Sequence, residues 1–313
     1  MTTLHRDKLP HVAGPLTLTD GGLETELIFD HGYELPQFAS FPLLERPEGR
    51  AEIRRYFDRY AEIARQRGAG LVLESPTWRA NRDWARLLGY DEERLDAVNR
   101  DAIALMEEIR ADHADLPHVV ISGCIGPRGD GYRVGDAMTS EEAEGYHARQ
   151  IAVFAGTAAD MVAAFTMTYA EEAVGITRAA RRAGMPVAIS FTLETDGRLP
   201  SGQPLSEAIA QVDAATGGGP DYYMINCAHP THFEDVLRAG GGWVERIRGL
   251  RANASTRSHA ELDEATELDP GDPDDLGARY RALRRLLPNL SLLGGCCGTD
   301  HRHVAAIGAA WAD

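Results

Sequence analysis

The sequence predicts an α/β fold, a single (β/α)8 TIM barrel, on three observations. Short β-branched or apolar runs recur eight times, each followed by a turn and then a helix-period segment. The runs are apolar almost throughout rather than alternating, as strands of a parallel sheet covered on both faces must be. The length of 313 residues suits one such barrel with extensions, a fold of about 250 residues at its usual size. An open doubly wound sheet is the runner-up, but no G-x-G-x-x-G follows the first run and an eighth unit would be surplus.

The strand-like runs fall at 16–22, 70–76, 118–126, 161–167, 186–193, 222–229, 248–255 and 290–298. After the first, residues 50–67 put Ile53, Tyr56, Phe57, Tyr60, Ile63 and Ala64 on one helical face, and Gly68 supplies the left-handed stop. Residues 91–113 do the same with Leu95, Val98, Ala102, Leu105, Met106 and Ile109. Thr139 with Glu142, Thr168 with Glu171 and Thr231 with Glu234 read as capping boxes that open three further helices. Val304, Ile307, Gly308 and Trp311 give the last helix its inner face. The exception to the pattern is 256–277, rich in Asp, Gly and Pro, which is predicted as a long acidic surface loop. One domain, 1–313, is therefore expected, with its core at about 16–312.

Composition narrows the partners. The net charge is −16, from 48 acidic and 32 basic residues, which argues against nucleic acid and anionic membrane surfaces. No apolar run reaches the roughly 18 residues of a membrane span, and the first ten residues hold no apolar stretch of signal-peptide length. Four cysteines, two of them adjacent, do not make a disulfide framework. The expectation is a cytoplasmic protein with reduced thiols that acts on small molecules, with homo-oligomerisation left open.

The cysteines carry the chemistry. Cys227 ends the run Y-Y-M-I-N-C, and Cys296 and Cys297 end L-L-G-G-C-C. In a barrel of this kind the active site lies at the C-terminal ends of the strands. The sixth and eighth strands flank the seventh, so these thiols come within reach of one ion. A zinc site with an open position takes three protein ligands and leaves the fourth for water or substrate. Successive strand residues point to opposite faces, so Cys296 and Cys297 can both ligate only where the strand breaks; Gly294, Gly295 and Gly298 permit that break. Cys124, at the end of the third strand, reads as an inert buried thiol. Two other readings stand beside this one: a Cys296–Cys297 redox pair, and a structural zinc closed by Cys124 or a histidine. His229, His232, His301 and His303 follow the cysteines closely, but their places at helix starts favour capping or surface roles.

Other residues gather at the same end. Asp20, Gly21 and Gly22 are either a tight turn or a cradle whose amides and carboxylate hold the amino-acid end of a substrate. Trp78, Tyr132, Phe165, Tyr169 and Phe191 each read singly as packing, and together as a cage for a methylated cation. Arg79, Arg128 and Arg133 read as exposed loop arginines, able to hold a carboxylate.

D-G-G-L-E-T-E-L (20–27), S-F-T-L-E-T-D-G-R-L-P-S-G (190–202), I-N-C (225–227) and G-G-C-C-G-T (294–299) resemble the zinc-dependent homocysteine S-methyltransferase family. The resemblance runs from about Leu18 to Ile307. It implies that Cys227, Cys296 and Cys297 bind Zn2+, which activates the homocysteine thiol. The thiol then takes a methyl group from a small onium donor such as S-methylmethionine, S-adenosylmethionine or a betaine, giving methionine. On this reading the candidate acceptor contacts are Asp20, Gly21, Gly22, Phe165, Thr166 and Asn226, and the aromatic cluster offers Trp78, Tyr132 and Phe191 as candidate donor contacts. An acidic residue at the end of the fourth strand helps bind the amine in that family. Phe165 stands there in this chain, so a different thiol acceptor is the alternative. The chain has no D-x-H-x-x-G motif for a corrinoid.

Overall fold

Eight parallel strands close into a ring in chain order in the computed structural model, which describes residues 3–312. They are β1 (Thr17–Leu18), β2 (Gly70–Glu74), β3 (Val119–Ile125), β4 (Met161–Met167), β5 (Val187–Thr192), β6 (Tyr222–Asn226), β7 (Ile247–Ala252) and β8 (Leu292–Gly295). Closure is made by Thr17 pairing with Leu292 and Leu18 with Leu293, which rules out the open doubly wound sheet. Several strands are shorter than their apolar runs, and two of them stop at the turns that carry chemistry. β1 stops before Asp20-Gly21-Gly22, and β6 stops where Cys227 takes a left-handed φ of 51°.

Side chains of alternate strand residues fill the barrel, among them Val72, Val120, Met161, Tyr222, Met224 and Leu292. The opposite faces pack against the helices in one larger core. Helix Pro47–Arg67 buries the predicted face, and Gly68 closes it at φ 59° with its N–H on the carbonyls of Ala64 and Arg65. Helix Glu92–Asp112 is capped by Asp91, as its pattern requires. No described helix is long and apolar enough to cross a membrane.

Three local expectations are corrected. The Thr139–Glu142 capping box is present, but the other two are not. Helix Ala170–Arg182 begins after Tyr169, which stays extended, so Thr168 lies outside it and Glu171 is in its first turn. Helix Pro230–Arg238 has Pro230 at its first position, which makes His229 the cap; the His229 ring accepts from the Thr231 N–H. Residues 256–277 are not a plain loop, because a Ser258–Glu261 capping box opens helix His259–Asp263 and helix Pro273–Leu283 begins within the stretch.

Candidate metal and thiol site

A cavity of about 480 Å³ opens at the C-terminal ends of the strands, a volume suited to small molecules. Cys227, Cys296 and Cys297 share its wall, and their sulfurs all lie within 4.8 Å of one another. Cys227 Sγ and Cys297 Sγ are 3.9 Å apart, and all four cysteines of the chain are free thiols. Among the described residues, no fourth His, Cys, Asp or Glu joins this group. Cys124 lines the same cavity outside the group, and burial pushes its thiol well above the usual range.

The backbone explains how three sulfurs converge. Strand alternation would turn Cys227 away from the barrel after the inward Asn226. The φ of 51° at Cys227 reverses that, and Thr166 at the end of β4 does the same with φ 62°. Such conformations are costly for residues with a Cβ and persist where neighbours hold them. Asn226 is the clamp: its Oδ1 accepts from the Thr166 N–H at 2.9 Å and the Ser190 hydroxyl at 2.6 Å, while its Nδ2 donates to Thr166 Oγ1 at 2.9 Å. After β8 the chain bends as predicted. The Cys296 N–H reaches the Ala252 carbonyl, the Thr299 N–H and hydroxyl both return to the Cys296 carbonyl, and Gly298 turns at φ 78°. Gly22 packs so close to this turn that a Cβ there would meet the Cys296 carbonyl oxygen at 2.5 Å.

Arg251, on β7, binds the two turns together. Its guanidinium donates to the Gly295 and Gly21 carbonyls, each at 2.9 Å, and forms an ion pair with the Asp20 carboxylate at 2.9 Å. Hydrogen bonds from the thiols of Cys227 and Cys297, reinforced by Arg251, hold the Cys296 thiol well below the usual range. Cys227 is pushed up, because it shares a proton with Cys296 and Cys297 and is buried. The Tyr132 hydroxyl donates to Cys297 Sγ at 3.6 Å, and its ring stacks on His259 at 4.0 Å between centroids.

The other predicted residues divide. Asp20, Gly21, Gly22, Trp78, Tyr132, Phe165, Thr166 and Asn226 all line the cavity. The Gly22 amide is not free, however, since it donates to the Thr299 carbonyl, and the Asp20 carboxylate is already held by Thr19, Tyr56 and Arg251. Phe191 is a correction: it is fully buried on the outer side of β5, stacked against Tyr223, and does not line the cavity. Arg79 is another, being 7% exposed with its guanidinium between Trp78 and Trp84, 4.1 and 3.9 Å from their ring centroids. Burial lowers Arg79 to about 10. Arg128 pairs with Asp83, while Arg133 is exposed as expected. His303 is fully buried, and of the capping or surface roles expected it takes the first: its ring accepts from the Asp300 N–H at the helix start and reaches the Pro270 carbonyl.

Residues absent from the sequence reading also serve the site. The His259 Nε2–H donates to the Cys227 carbonyl at 2.7 Å, and the only sequence signal for this residue was the S-H-A-E capping box around it. Arg251 and Glu74 sit within apolar runs, and a charged residue inside an otherwise buried strand was the signal that could have found both.

Comparison with known proteins agrees with this geometry. The family model described as homocysteine S-methyltransferase matches residues 17–311. The chain is 25% identical over 325 residues to homocysteine S-methyltransferase 4 of Zea mays, covering 95% of this chain and 90% of that protein. It is likewise 25% identical over 323 residues to selenocysteine Se-methyltransferase of Brassica oleracea var. italica, covering 94% and 88%. Among solved structures, the oxidised form of the homocysteine methyltransferase MmuM from Escherichia coli superposes with a TM-score of 0.73 at 22% identity, over 94% of this chain and 95% of that one. The metallated form of MmuM gives 0.69 at 20% identity, over 94% and 96%. With its cysteine triad at the mouth of a closed barrel, this chain belongs to the homocysteine S-methyltransferase family.

Proposed function

We propose that this protein moves a methyl group from a small onium donor to the thiol of homocysteine, giving methionine, with Zn2+ held by Cys227, Cys296 and Cys297. The observation that carries the reading is the spacing of the three sulfurs. Four-coordinate zinc with Zn–S bonds of about 2.3 Å holds its sulfurs about 3.8 Å apart, and the Cys227–Cys297 separation is 3.9 Å. Three thiol ligands, with no fourth His, Cys, Asp or Glu in the group among the described residues, leave one position for the acceptor. When bound, Zn2+ supplies the charge that lets a thiol lose its proton at neutral pH.

The chain's own residues supply the rest. Arg251 and Asn226 fix the two cysteine-bearing turns. Tyr132 donates to Cys297 and closes one wall with His259. Trp78, Phe38 and Trp84 make a second wall, with Arg79 over a face of each tryptophan. Glu24, Asp130, Asp263 and Glu267 also line the cavity, and their negative field favours a cationic donor over an anionic one. In the transfer, the acceptor sulfur forms a bond to the methyl carbon while the donor's bond to that carbon breaks. The onium loses its positive charge and leaves as a neutral product.

Phe165 favours one second reading, an acceptor thiol or selenol other than homocysteine. The test is metal analysis of wild type and Cys227→Ser, with methylation of several thiols by S-methylmethionine, S-adenosylmethionine and glycine betaine. The expected result is about one zinc per wild-type chain, most of it lost in the variant, and methionine as the product. A zinc-free wild type purified under reducing conditions would overturn the metal assignment. Turnover of another thiol with none of homocysteine would select the second reading.

A further inference from the structure

β2 ends in Glu74, which is 5% exposed and lines the cavity. Neither of its carboxylate oxygens has a hydrogen-bond partner. The Asp20 carboxylate on the same wall offers a contrast, since Thr19, Tyr56 and Arg251 all bond to it. Arg251 does act on Glu74 through its charge, but its short hydrogen bonds go to the Gly295 and Gly21 carbonyls and its ion pair to Asp20. Burial outweighs the pull of Arg251 and the nearby Ser122 hydroxyl and pushes the Glu74 carboxyl up to about 7. Buried polar groups in folded proteins find partners as a rule, and an exception inside a ligand cavity points to a partner that arrives with the ligand.

The kind of partner follows from the chemistry of a carboxylate. When ionised it only accepts, and its empty acceptor positions call for N–H or O–H donors. A sulfonium or quaternary ammonium donor carries neither and is suited to aromatic faces. A primary ammonium carries three N–H groups and a positive charge. Phe165, across the cavity on β4, offers no charge, and Asp20 is already filled. We propose that Glu74 is the anchor for the ammonium group of the acceptor, so that the site selects an α-amino-acid thiol over the same thiol without its amine. This inference rests on the thiol-acceptor reading above and names the group that gives it selectivity.

The test measures binding, so that it does not depend on turnover. Zinc-loaded wild type and Glu74→Gln are titrated anaerobically in a calorimeter with homocysteine and with 4-mercaptobutanoate, which lacks only the amine. Wild type is expected to favour homocysteine by about ten- to a hundredfold, the value of a charge-assisted bond. Glu74→Gln is expected to lose most of that preference through weaker homocysteine binding, with 4-mercaptobutanoate nearly unaffected. The variant should also melt at or above the wild-type temperature, because it removes a buried unpaired charge. An equal preference in the two proteins, or a variant that melts lower and keeps the preference, overturns the anchor. Wild type that binds homocysteine selectively yet methylates it with no onium donor would refute the proposed reaction and leave the anchor supported.

Discussion

Replacing Arg251 by lysine keeps the positive charge and removes the planar fork, which isolates what the guanidinium geometry does. Two hydrogen bonds and one ion pair, each of 2.9 Å, depend on that fork: Nε to the Gly295 carbonyl, and Nη2 to the Gly21 carbonyl and the Asp20 carboxylate. A lysine ammonium cannot reach both turns at once, so two of the three are lost. At about 1.5 kcal/mol for each bond from a charged donor, the cost is about 3 kcal/mol before water fills the gap. For a domain of this size that corresponds to a fall of roughly 4–6 °C in melting temperature. Because the lost bonds tie the Cys296–Cys297 turn to the Asp20-Gly21-Gly22 turn, zinc affinity should fall in the same variant. Arg251→Met should cost more, about 3–5 kcal/mol, since it leaves the Asp20 charge buried without its cation. Scanning calorimetry and competition with a zinc chelator read the two effects separately. If Arg251→Lys melts within a degree of wild type and holds zinc as tightly, the fork does not organise the site and this reasoning fails.

Three further outcomes are expected. Glu74 has its carboxyl raised to about 7 in the fold against 4.5 when exposed, so its contribution is present below 4.5 and lost as pH rises through 7. The stability advantage of Glu74→Gln over wild type should therefore grow by about 3 kcal/mol between pH 4 and 8; a difference independent of pH in urea titrations would contradict this. Phe191→Ala should destabilise by about 3–5 kcal/mol while leaving the KM for thiol and donor unchanged, because the ring lies in the core and outside the cavity; a raised donor KM would return it to the site. Tyr132→Phe should lower the rate of thiol methylation by about tenfold with little change in melting temperature, since it loses the hydroxyl on Cys297 and keeps the stack on His259; an unchanged rate would make the hydroxyl incidental.

The fold was legible because a buried parallel sheet leaves a signal in every strand. Near-continuous apolar runs such as V-V-I-S-G-C-I and M-V-A-A-F-T-M can only sit between two covered faces. The cysteines were legible for a related reason, because topology alone places the ends of β6 and β8 around one point. What the runs concealed was the direction of individual side chains. Phe191 and Phe165 look alike in sequence, yet strand alternation sends one to the helices and the other into the cavity. The left-handed turns at Thr166 and Cys227 break that alternation, and nothing local in a Thr or Cys announces such a conformation. His259 was missed and Arg79 misread as exposed for another reason, that each is buried by an aromatic partner. The partners that bury them, Tyr132 for the first and Trp84 for the second, are distant or unremarkable in sequence.

The central claim is that three sulfurs hold one zinc with a position left open for the acceptor thiol. X-ray absorption at the zinc edge, on reduced protein with and without homocysteine, tests it most directly. The account predicts about one zinc per chain with three sulfur neighbours, rising to four when homocysteine is added. A zinc whose surroundings do not change on adding thiol, or protein that takes up no stoichiometric zinc with Cys227, Cys296 and Cys297 reduced, would contradict it.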